Sequence, residues 1–210
     1  LSIQNSSLNL IPPDLKFKIQ RSTLSSDGNH RWIHHWKLPD GEITLSLARS
    51  ASGYLLRFPD QTDFLIAEDG LDIRCHPAAD ATQDTIDHYY WDQVLPRVLS
   101  HQGHIMVHAS AVSIDDHAVA FIGETGCGKS TLAAAFGQQG TPMLADDCIQ
   151  LNLENGHVTA TPFDTGIRLW PDALQALFET PPALSPMAYY SSKKRLTPGG
   201  MATDTPLPIR

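Results

Sequence analysis

The alternation of apolar and polar residues divides the chain into two parts of different character. Up to about residue 80, short alternating runs are separated by turns rich in Pro, Asp and Gly, a pattern typical of half-buried β-strands. The pattern predicts strands over residues 42–47, 54–58, 63–67 and 71–75. We therefore expect residues 1–80 to form a small β-rich domain, an antiparallel sheet or meander, after an irregular lead-in over residues 6–13.

From residue 82 to about residue 100, apolar residues recur at steps of three and four, which predicts an amphipathic helix. Pro96 is expected to kink this helix, and Gly103 follows its end, as helix C-termini prefer. We place the helix in a second domain that covers residues 81–210.

In this second domain, predicted strands and helices alternate as they do in α/β proteins. Strands are expected over residues 105–114, 118–122 and 142–145, and a hairpin over residues 149–153 and 157–161 around the turn signal Asn155-Gly156. Helices are expected over residues 129–139 and 171–178. The Pro-, Ser- and Gly-rich chain beyond residue 179 is expected to be mostly loop.

Composition narrows the possible function classes. The 210-residue chain has a net charge of −8, with 23 acidic against 15 basic residues, which argues against a general nucleic-acid binder. The densest basic segment, Lys193-Lys194-Arg195, is interpreted as a solvated loop. No apolar run approaches the ~20 residues of a membrane span, and the N-terminus lacks the pattern of a signal peptide. Three cysteines without a Cys-x-x-Cys pair favour a reducing, cytoplasmic location.

One segment, hereafter the glycine-rich loop, carries specific chemistry. It consists of Gly123, Glu124, Thr125, Gly126, Cys127, Gly128, Lys129 and Ser130, and it matches the pattern G-x-x-x-x-G-K-[ST] between a predicted strand and a predicted helix. Loop amides and a helix N-terminus cradle phosphate oxygens, and Lys129 adds a full positive charge. The Ser130 hydroxyl is suited to coordinate Mg²⁺, and Thr131 to cap the helix. The segment predicts binding of a nucleoside triphosphate with Mg²⁺; the alternative is a chance Gly-rich turn.

A pair of carboxylates follows at a short distance along the chain. Asp146 and Asp147 come directly after the predicted strand 142–145. In parallel α/β sheets, ligand chemistry gathers at the carboxyl ends of the strands. One carboxylate is suited to hold Mg²⁺ and the other to accept the proton of an attacking hydroxyl. A polar turn is the alternative interpretation.

These motifs together resemble a known family. The segments His108-Ala-Ser-Ala-Val112 and Leu144-Ala-Asp-Asp147, with the glycine-rich loop between them, are similar to the catalytic domain of HPr kinase/phosphorylase and its relatives. The resemblance covers about residues 103–178 and implies an α/β P-loop serine kinase domain of the phosphoenolpyruvate-carboxykinase-like type. In that family His108 matches a site histidine, Asp146 the base or acid of phosphoryl transfer, and Asp147 a residue that assists at the metal.

The resemblance extends to Thr165-Gly-Ile-Arg168-Leu-Trp, where Arg168 is implied to stabilise charge on the transferred phosphoryl group. It implies a protein or peptide substrate with a Ser hydroxyl, since a divergent branch of the family acts on peptides. Thr131 replaces a Glu that HPr kinases proper often carry, and the Glu and Gly of a Glu-Ile-Arg-Gly signature are missing. These departures argue against a reverse phosphorylase activity and against HPr as the substrate. Relatives also continue beyond the position of Arg210, so the family domain is expected to be incomplete at its C-terminus.

Other interpretations stay open at this point. The site also suits a nucleotide hydrolase or switch, a small-molecule kinase, or a binding module gated by ATP without catalysis. His108 has an alternative as a hydrogen-bonded strand histidine, and Arg168 as an ion-pair partner of Asp164 or Asp172. No His, Cys and Asp set has the spacing of a zinc site. Assembly into a homo-oligomer is left open, and residues 1–80 resemble no family that we can name.

Overall fold

A computed structural model of the chain describes residues 12–21, 30–154, 156–162, 166–180, 184–186, 191–196 and 205–210. The described residues form two compact units, which divide after Gln102 and are named here the N-terminal and C-terminal units. This division lies later than the boundary expected after residue 80, because the helices that follow residue 82 pack on the sheet that precedes them. The expected lead-in over residues 6–13 falls almost wholly outside the described residues.

The N-terminal unit is built on a six-stranded sheet with the order β1-β6-β5-β4-β3-β2. Its strands are β1 (Lys16–Ile19), β2 (Arg31–Lys37), β3 (Ile43–Ser50), β4 (Gly53–Phe58), β5 (Thr62–Ala67) and β6 (Asp72–Pro77). Strands β2 to β6 form an antiparallel meander, and β1 pairs with β6 in parallel. The four strands that the alternation predicts are β3 to β6, whereas β1 and β2 are not predicted.

Two helices and a π-helical segment follow the sheet: α1 (Gln83–His88), the π-helical segment (Tyr89–Val94) and α2 (Leu95–His101). Thr82 caps α1, since its hydroxyl accepts a hydrogen bond from the Thr85 amide. Stacked rings hold the π-helical segment against the sheet, with centroids 4.0 Å apart for Phe17 and Tyr90. Pro96 lies in the first turn of α2, directly after the π-helical segment, where a missing backbone amide is tolerated.

The C-terminal unit contains two helices and ten short strands among the described residues. In chain order they are β7 (Ile105–Val107), β8 (Ala109–Ile114), β9 (His117–Ile122), α3 (Lys129–Gln138), β10 (Met143–Ala145), β11 (Ile149–Glu154), β12 (His157–Pro162), β13 (Ile167–Leu169), α4 (Pro171–Leu177), β14 (Leu184–Pro186), β15 (Lys194–Leu196) and β16 (Leu207–Pro208). They form three sheets, with the orders β10-β8-β9, β16-β12-β11-β7 and β13-β15-β14.

The sheet β10-β8-β9 lies at the centre of the C-terminal unit. On one face, Val112 and Met143 pack with Ala133 and Ala134 of α3. On the other face, alanines of β8 and β9 pack with Ile149 and Ala160 of the sheet β16-β12-β11-β7. Small alanine side chains let these layers approach closely, and the two apolar clusters fix the position of the strand ends that carry the site.

Three sequence expectations for this unit are wrong. The pairs within β10-β8-β9 are antiparallel, not parallel. The strand expected over residues 105–114 breaks at His108 into β7 and β8, which belong to different sheets. Lys194 and Arg195 lie in β15 rather than in a solvated loop, and β14 to β16 occupy part of the chain expected to be loop.

The mixed α/β character is as expected, and β11 pairs with β12 as the predicted hairpin, although Asn155 of its turn lies outside the described residues. Within the part of the chain that the structure describes, no helix combines the length and the apolar character needed to cross a bilayer.

Candidate functional site

The direction of three strands brings the predicted site residues to one edge of a sheet. Strands β9 and β10 each run antiparallel to β8, so they run in the same direction and their carboxyl ends share an edge. The glycine-rich loop follows β9, Asp146 follows β10, and His108 precedes β8 at the same edge. Since neighbouring strands are ~4.8 Å apart, the ends of β9 and β10 lie ~10 Å from each other.

The glycine-rich loop adopts a conformation that exposes backbone amides. Gly126 and Gly128 have φ of +85° and +93°, values that favour glycine over other residues. Among the described residues, the amides of these two glycines have no hydrogen-bond acceptor. The first intrahelical bond of α3 runs from the Leu132 amide to the Gly128 carbonyl, so the three amides between them also lack an intrahelical partner. The loop therefore presents several N–H groups at a helix N-terminus.

Lys129 fills the inside of the loop. Its Nζ donates hydrogen bonds of 3.0 Å to the carbonyl oxygens of Gly123 and Glu124, and its side chain is buried. Residues 122–128 around it are exposed. The ammonium group is held by neutral acceptors and is placed to turn toward an anion that enters the loop.

Asp146 is buried at the end of β10, with 1% of its surface exposed. Its Oδ1 accepts a 2.6 Å hydrogen bond from the Ser110 hydroxyl, and its Oδ2 accepts a 3.0 Å bond from the Arg168 amide. Three segments that are far apart in sequence thus fix one carboxylate. Burial raises the pKa of Asp146 above its ordinary value, and the nearby Asp147 carboxylate raises it further, while the bonds from Ser110 and Arg168 act in the opposite direction.

Asp147 is the more exposed of the two carboxylates. Its backbone lies in the left-handed region, with φ of +65°, and its Oδ2 accepts a 2.9 Å hydrogen bond from the buried Arg168 guanidinium. His108 is exposed and its Nδ1 lies 2.7 Å from the Asp147 carbonyl oxygen. His108 and Arg168 therefore hold the backbone and the side chain of Asp147, respectively, in an unusual conformation.

The structure brings together the predicted set around the two aspartates. Asp146, Asp147, His108 and Arg168 form one connected network. Arg168 pairs with Asp147, not with Asp172; the other expected alternative, Asp164, lies outside the described residues. The hydrogen bond of His108 agrees with its interpretation as a hydrogen-bonded strand histidine. This bond does not exclude a role of His108 in the site. Glu124, Thr125 and Cys127 lie in the exposed loop, while Ser130 and Thr131 are half-buried in the first turn of α3.

Ser110 belongs to this network, yet sequence reasoning did not single it out. It lies two residues after His108, within the segment His108-Ala-Ser-Ala-Val112. In a strand, alternate residues face the same side, so Ser110 shares a face with Val112, toward α3. A polar residue between the small apolar residues Ala109 and Ala111 is the signal in the sequence that could have identified it.

The donor chemistry of the loop fits a nucleotide phosphate and Mg²⁺. A Cβ on Gly126 or Gly128 would meet no atom within 4 Å, so the space beside these two glycines is open. The Ser130 hydroxyl and the Asp147 carboxylate offer oxygen ligands, which Mg²⁺ prefers. The described residues contain no group of three or more His, Cys, Asp or Glu side chains suited to hold a metal ion.

Comparisons with known proteins add a limited result. No family model matches this chain, and no curated protein matches it. Among solved structures, the chain is similar to the HPr(Ser) kinase/phosphatase from Coxiella burnetii, with 26% identity over 35% of this chain and a TM-score of 0.29. The match spans about half of that protein, 48% of its chain. A TM-score this low does not establish a shared fold, so the function proposed next rests on the residues of this chain.

Proposed function

We propose that this chain is an ATP-dependent kinase that transfers the γ-phosphoryl group of ATP to a Ser hydroxyl of a protein or peptide. The observation that supports this most is the arrangement of the glycine-rich loop and Asp146 at the ends of two strands that share a sheet edge. One end offers amides and a lysine for phosphate, and the other offers a carboxylate with a raised pKa for a proton.

On the donor side, the loop amides and Lys129 bind the triphosphate. Lys129 exchanges its bonds to the Gly123 and Glu124 carbonyls for bonds to β- and γ-phosphate oxygens. Ser130 and Asp147 hold Mg²⁺, which when bound neutralises part of the phosphate charge. The positive end of the α3 backbone adds to the same field.

On the acceptor side, the serine oxygen attacks the γ-phosphorus. A new phosphorus–oxygen bond forms to the serine, the bond from the γ-phosphorus to the β,γ-bridging oxygen breaks, and ADP leaves with that electron pair. The serine proton passes to Asp146, whose raised pKa makes its carboxylate a stronger base than an exposed aspartate. Because Asp146 is almost fully buried, acceptor binding must open a path to one of its oxygens.

Arg168 and His108 support this step. The Arg168 guanidinium lies against Asp147, where its charge also offsets negative charge that develops on the transferred phosphoryl group. His108 holds the Asp147 carbonyl, so we assign it a positioning role.

The proposal is tested with γ-labelled ATP, the purified chain and a cell extract. Wild-type protein is expected to label a protein or peptide on serine, and Asp146→Asn and Lys129→Ala are expected to lose that label. Lys16→Ala, an exposed lysine on β1, serves as the matched control for loss of a lysine. Label that appears only as inorganic phosphate, at the same rate with or without extract, would indicate a hydrolase instead. Label on a small molecule would indicate a small-molecule kinase.

A further inference from the structure

A second surface of the molecule has features that the proposed catalysis does not use. β2 (Arg31–Lys37) is an edge strand of the N-terminal sheet, and among the described residues its only strand partner is β3. Every β2 residue is exposed, including Trp32 at 40%, Ile33 at 51% and Trp36 at 39%. The pairing of β2 with β3 has two register irregularities, so the longest stretch of regular pairing consists of His34, His35 and Trp36. An exposed edge offers unpaired backbone N–H and C=O groups to another extended chain.

This edge carries positive charge on a chain whose net charge is −8. Strands β2, β3 and β4 contain four Arg or Lys residues and no Asp or Glu, and the turn after β2 contains Asp40 and Glu42. Arg49 pairs with Glu68, and Arg57 pairs with Asp63.

Arg31 and Lys37 form no ion pair within the described part of the chain, and they lie near the two ends of β2. The two positions are six residues apart, which is ~20 Å along an extended strand. Two unpaired cations at this spacing complement carboxylates that are several residues apart on an extended peptide.

An apolar cavity of about 320 Å³ adjoins the same strand. Its lining includes Trp36, Leu47 and Leu56 from the sheet and Val98 from α2, with Arg97 and His101 from the same helix. The volume is at the small end of the range for ligand cavities, and the lining of the cavity is mainly apolar. The cavity is therefore suited to an apolar side chain rather than to a second charged group.

We propose that the β2 edge docks an acidic, extended polypeptide segment, with its carboxylates toward Arg31 and Lys37 and an apolar side chain in the cavity beside Trp36. A second copy of this chain is a poorer occupant. Antiparallel self-pairing about His34 would place Arg31 opposite Lys37, and like charges opposite each other destabilise a strand pair. That the docked segment belongs to the phosphate acceptor rests on the proposed function, whereas the docking itself does not.

The test uses the full chain without nucleotide and two pools of synthetic peptides of about nine residues, a length that spans ~30 Å when extended. In both pools, half of the positions are drawn from Val, Ile, Leu, Phe, Tyr and Thr. The other positions are Asp or Glu in the acidic pool and Lys or Arg in the basic pool. Peptides retained on immobilised protein are quantified by mass spectrometry. The acidic pool is expected to be retained about tenfold better, as two good cross-strand ion pairs allow.

Three variants locate the effect, each checked for folding by circular dichroism and thermal unfolding. Arg31→Glu with Lys37→Glu is expected to reverse the preference, so that the basic pool is retained better. Trp36→Ala is expected to lower retention of the acidic pool and to abolish enrichment for apolar residues. Lys16→Glu with Lys18→Glu, which changes the same charge on the opposite edge strand β1, is the control and should leave retention unchanged.

Several outcomes would overturn the proposal. Equal retention of the two pools, or no retention of either, would be two such outcomes. The others are a preference for the acidic pool that persists in the β2 double variant, or a preference for the acidic pool that disappears in the β1 control. Tighter binding of oligothymidylate than of the acidic pool would assign the edge to single-stranded nucleic acid. A dimer in sedimentation that Trp36→Ala dissociates would assign it to a second copy. Lys129→Ala must still bind the acidic pool. If it does while the wild-type protein phosphorylates no serine, docking stands and the proposed function fails.

Discussion

The Ser110 hydroxyl donates a 2.6 Å hydrogen bond to Oδ1 of Asp146, and both side chains are buried. This bond ties the start of β8 to the end of β10. A buried carboxylate that is fixed by a hydroxyl on one oxygen and by the Arg168 amide on the other has one defined orientation. The proposed base is thereby oriented before any substrate binds.

Loss of the Ser110 hydroxyl should change the pH dependence of phosphoryl transfer. The Ser110 hydrogen bond lowers the pKa of Asp146, so Ser110→Ala is expected to raise that pKa further and to move the acid limb of the rate profile to higher pH. Removal of a hydrogen bond to a buried charged group should also cost about 1–3 kcal/mol of stability. Transfer rates between pH 5 and pH 9, compared with Ser113→Ala on the same strand, check this. An acid limb that stays in place would show that Ser110 is only structural.

Asp146→Asn should change the pH dependence of stability. Burial raises the pKa of Asp146 in the folded state, so folding of the wild type takes up a proton in the window between its unfolded and folded pKa. Wild-type stability from this group is therefore highest below the unfolded pKa and falls as pH rises to the folded pKa. The Asn side chain does not ionise, so the variant does not lose stability in this way as pH rises. Its melting temperature is therefore expected to lie above that of the wild type at pH 8, and the difference between the two temperatures is expected to shrink toward pH 4. Calorimetry across this range checks the sign, and a difference that grows toward pH 4 would contradict it.

The Arg168–Asp147 ion pair should show energetic coupling. The Arg168 side chain is 2% exposed and that of Asp147 is 26% exposed, so solvent screens the pair only in part. A double-mutant cycle with Arg168→Ala and Asp147→Ala is expected to give a coupling of about 0.5–3 kcal/mol in urea unfolding. The more exposed pair Arg74–Asp72 serves as a control, with about 0.2–1 kcal/mol expected. Coupling at Arg168–Asp147 no larger than the control would contradict a structural pair.

The steric effect of a side chain at Gly123 on ATP binding should be separable from other effects of the substitution. A Cβ on Gly123 would lie 2.8 Å from Cys127 Sγ but 4.0 Å from Cys127 Cβ. The exposed Cys127 side chain must rotate to make room, so Gly123→Ala is expected to weaken ATP binding about threefold, or ~0.7 kcal/mol. The double variant Gly123→Ala with Cys127→Ala removes the sulfur and should recover most of the affinity. Calorimetric titration measures both, and a double variant no better than the single one would show that the sulfur contact is not the cause.

The sequence patterns predicted some elements well because local physics determines them. Alternation located β3 to β6, since each of these strands has one face buried. β2 has no buried face, and its exposed residues show no regular alternation. The break at His108 is equally invisible, because apolar residues continue on both sides of it while the chain passes from one sheet to another.

In the candidate site too, the sequence predicts the features that a contiguous motif determines, but not the contacts between residues far apart in the chain. The glycine-rich loop is a contiguous motif, and its helix begins at Lys129 as predicted. Arg168 pairs with Asp147, which is 21 residues away in sequence. Ser110 lies 36 residues from Asp146, and only the pairing of β8 with β10 brings them together. Sequence spacing cannot show such contacts because tertiary packing sets them.

MgATP affinity and phosphoryl transfer, measured on the same two variants, separate donor binding by the loop from proton transfer by Asp146. Asp146→Asn is expected to bind MgATP within about threefold of wild type, a difference under ~1 kcal/mol, and to transfer phosphoryl about 10²–10⁴-fold more slowly. Lys129→Ala is expected to lose MgATP binding itself. Wild-type transfer rates in Asp146→Asn, or wild-type MgATP affinity in Lys129→Ala, would contradict the account.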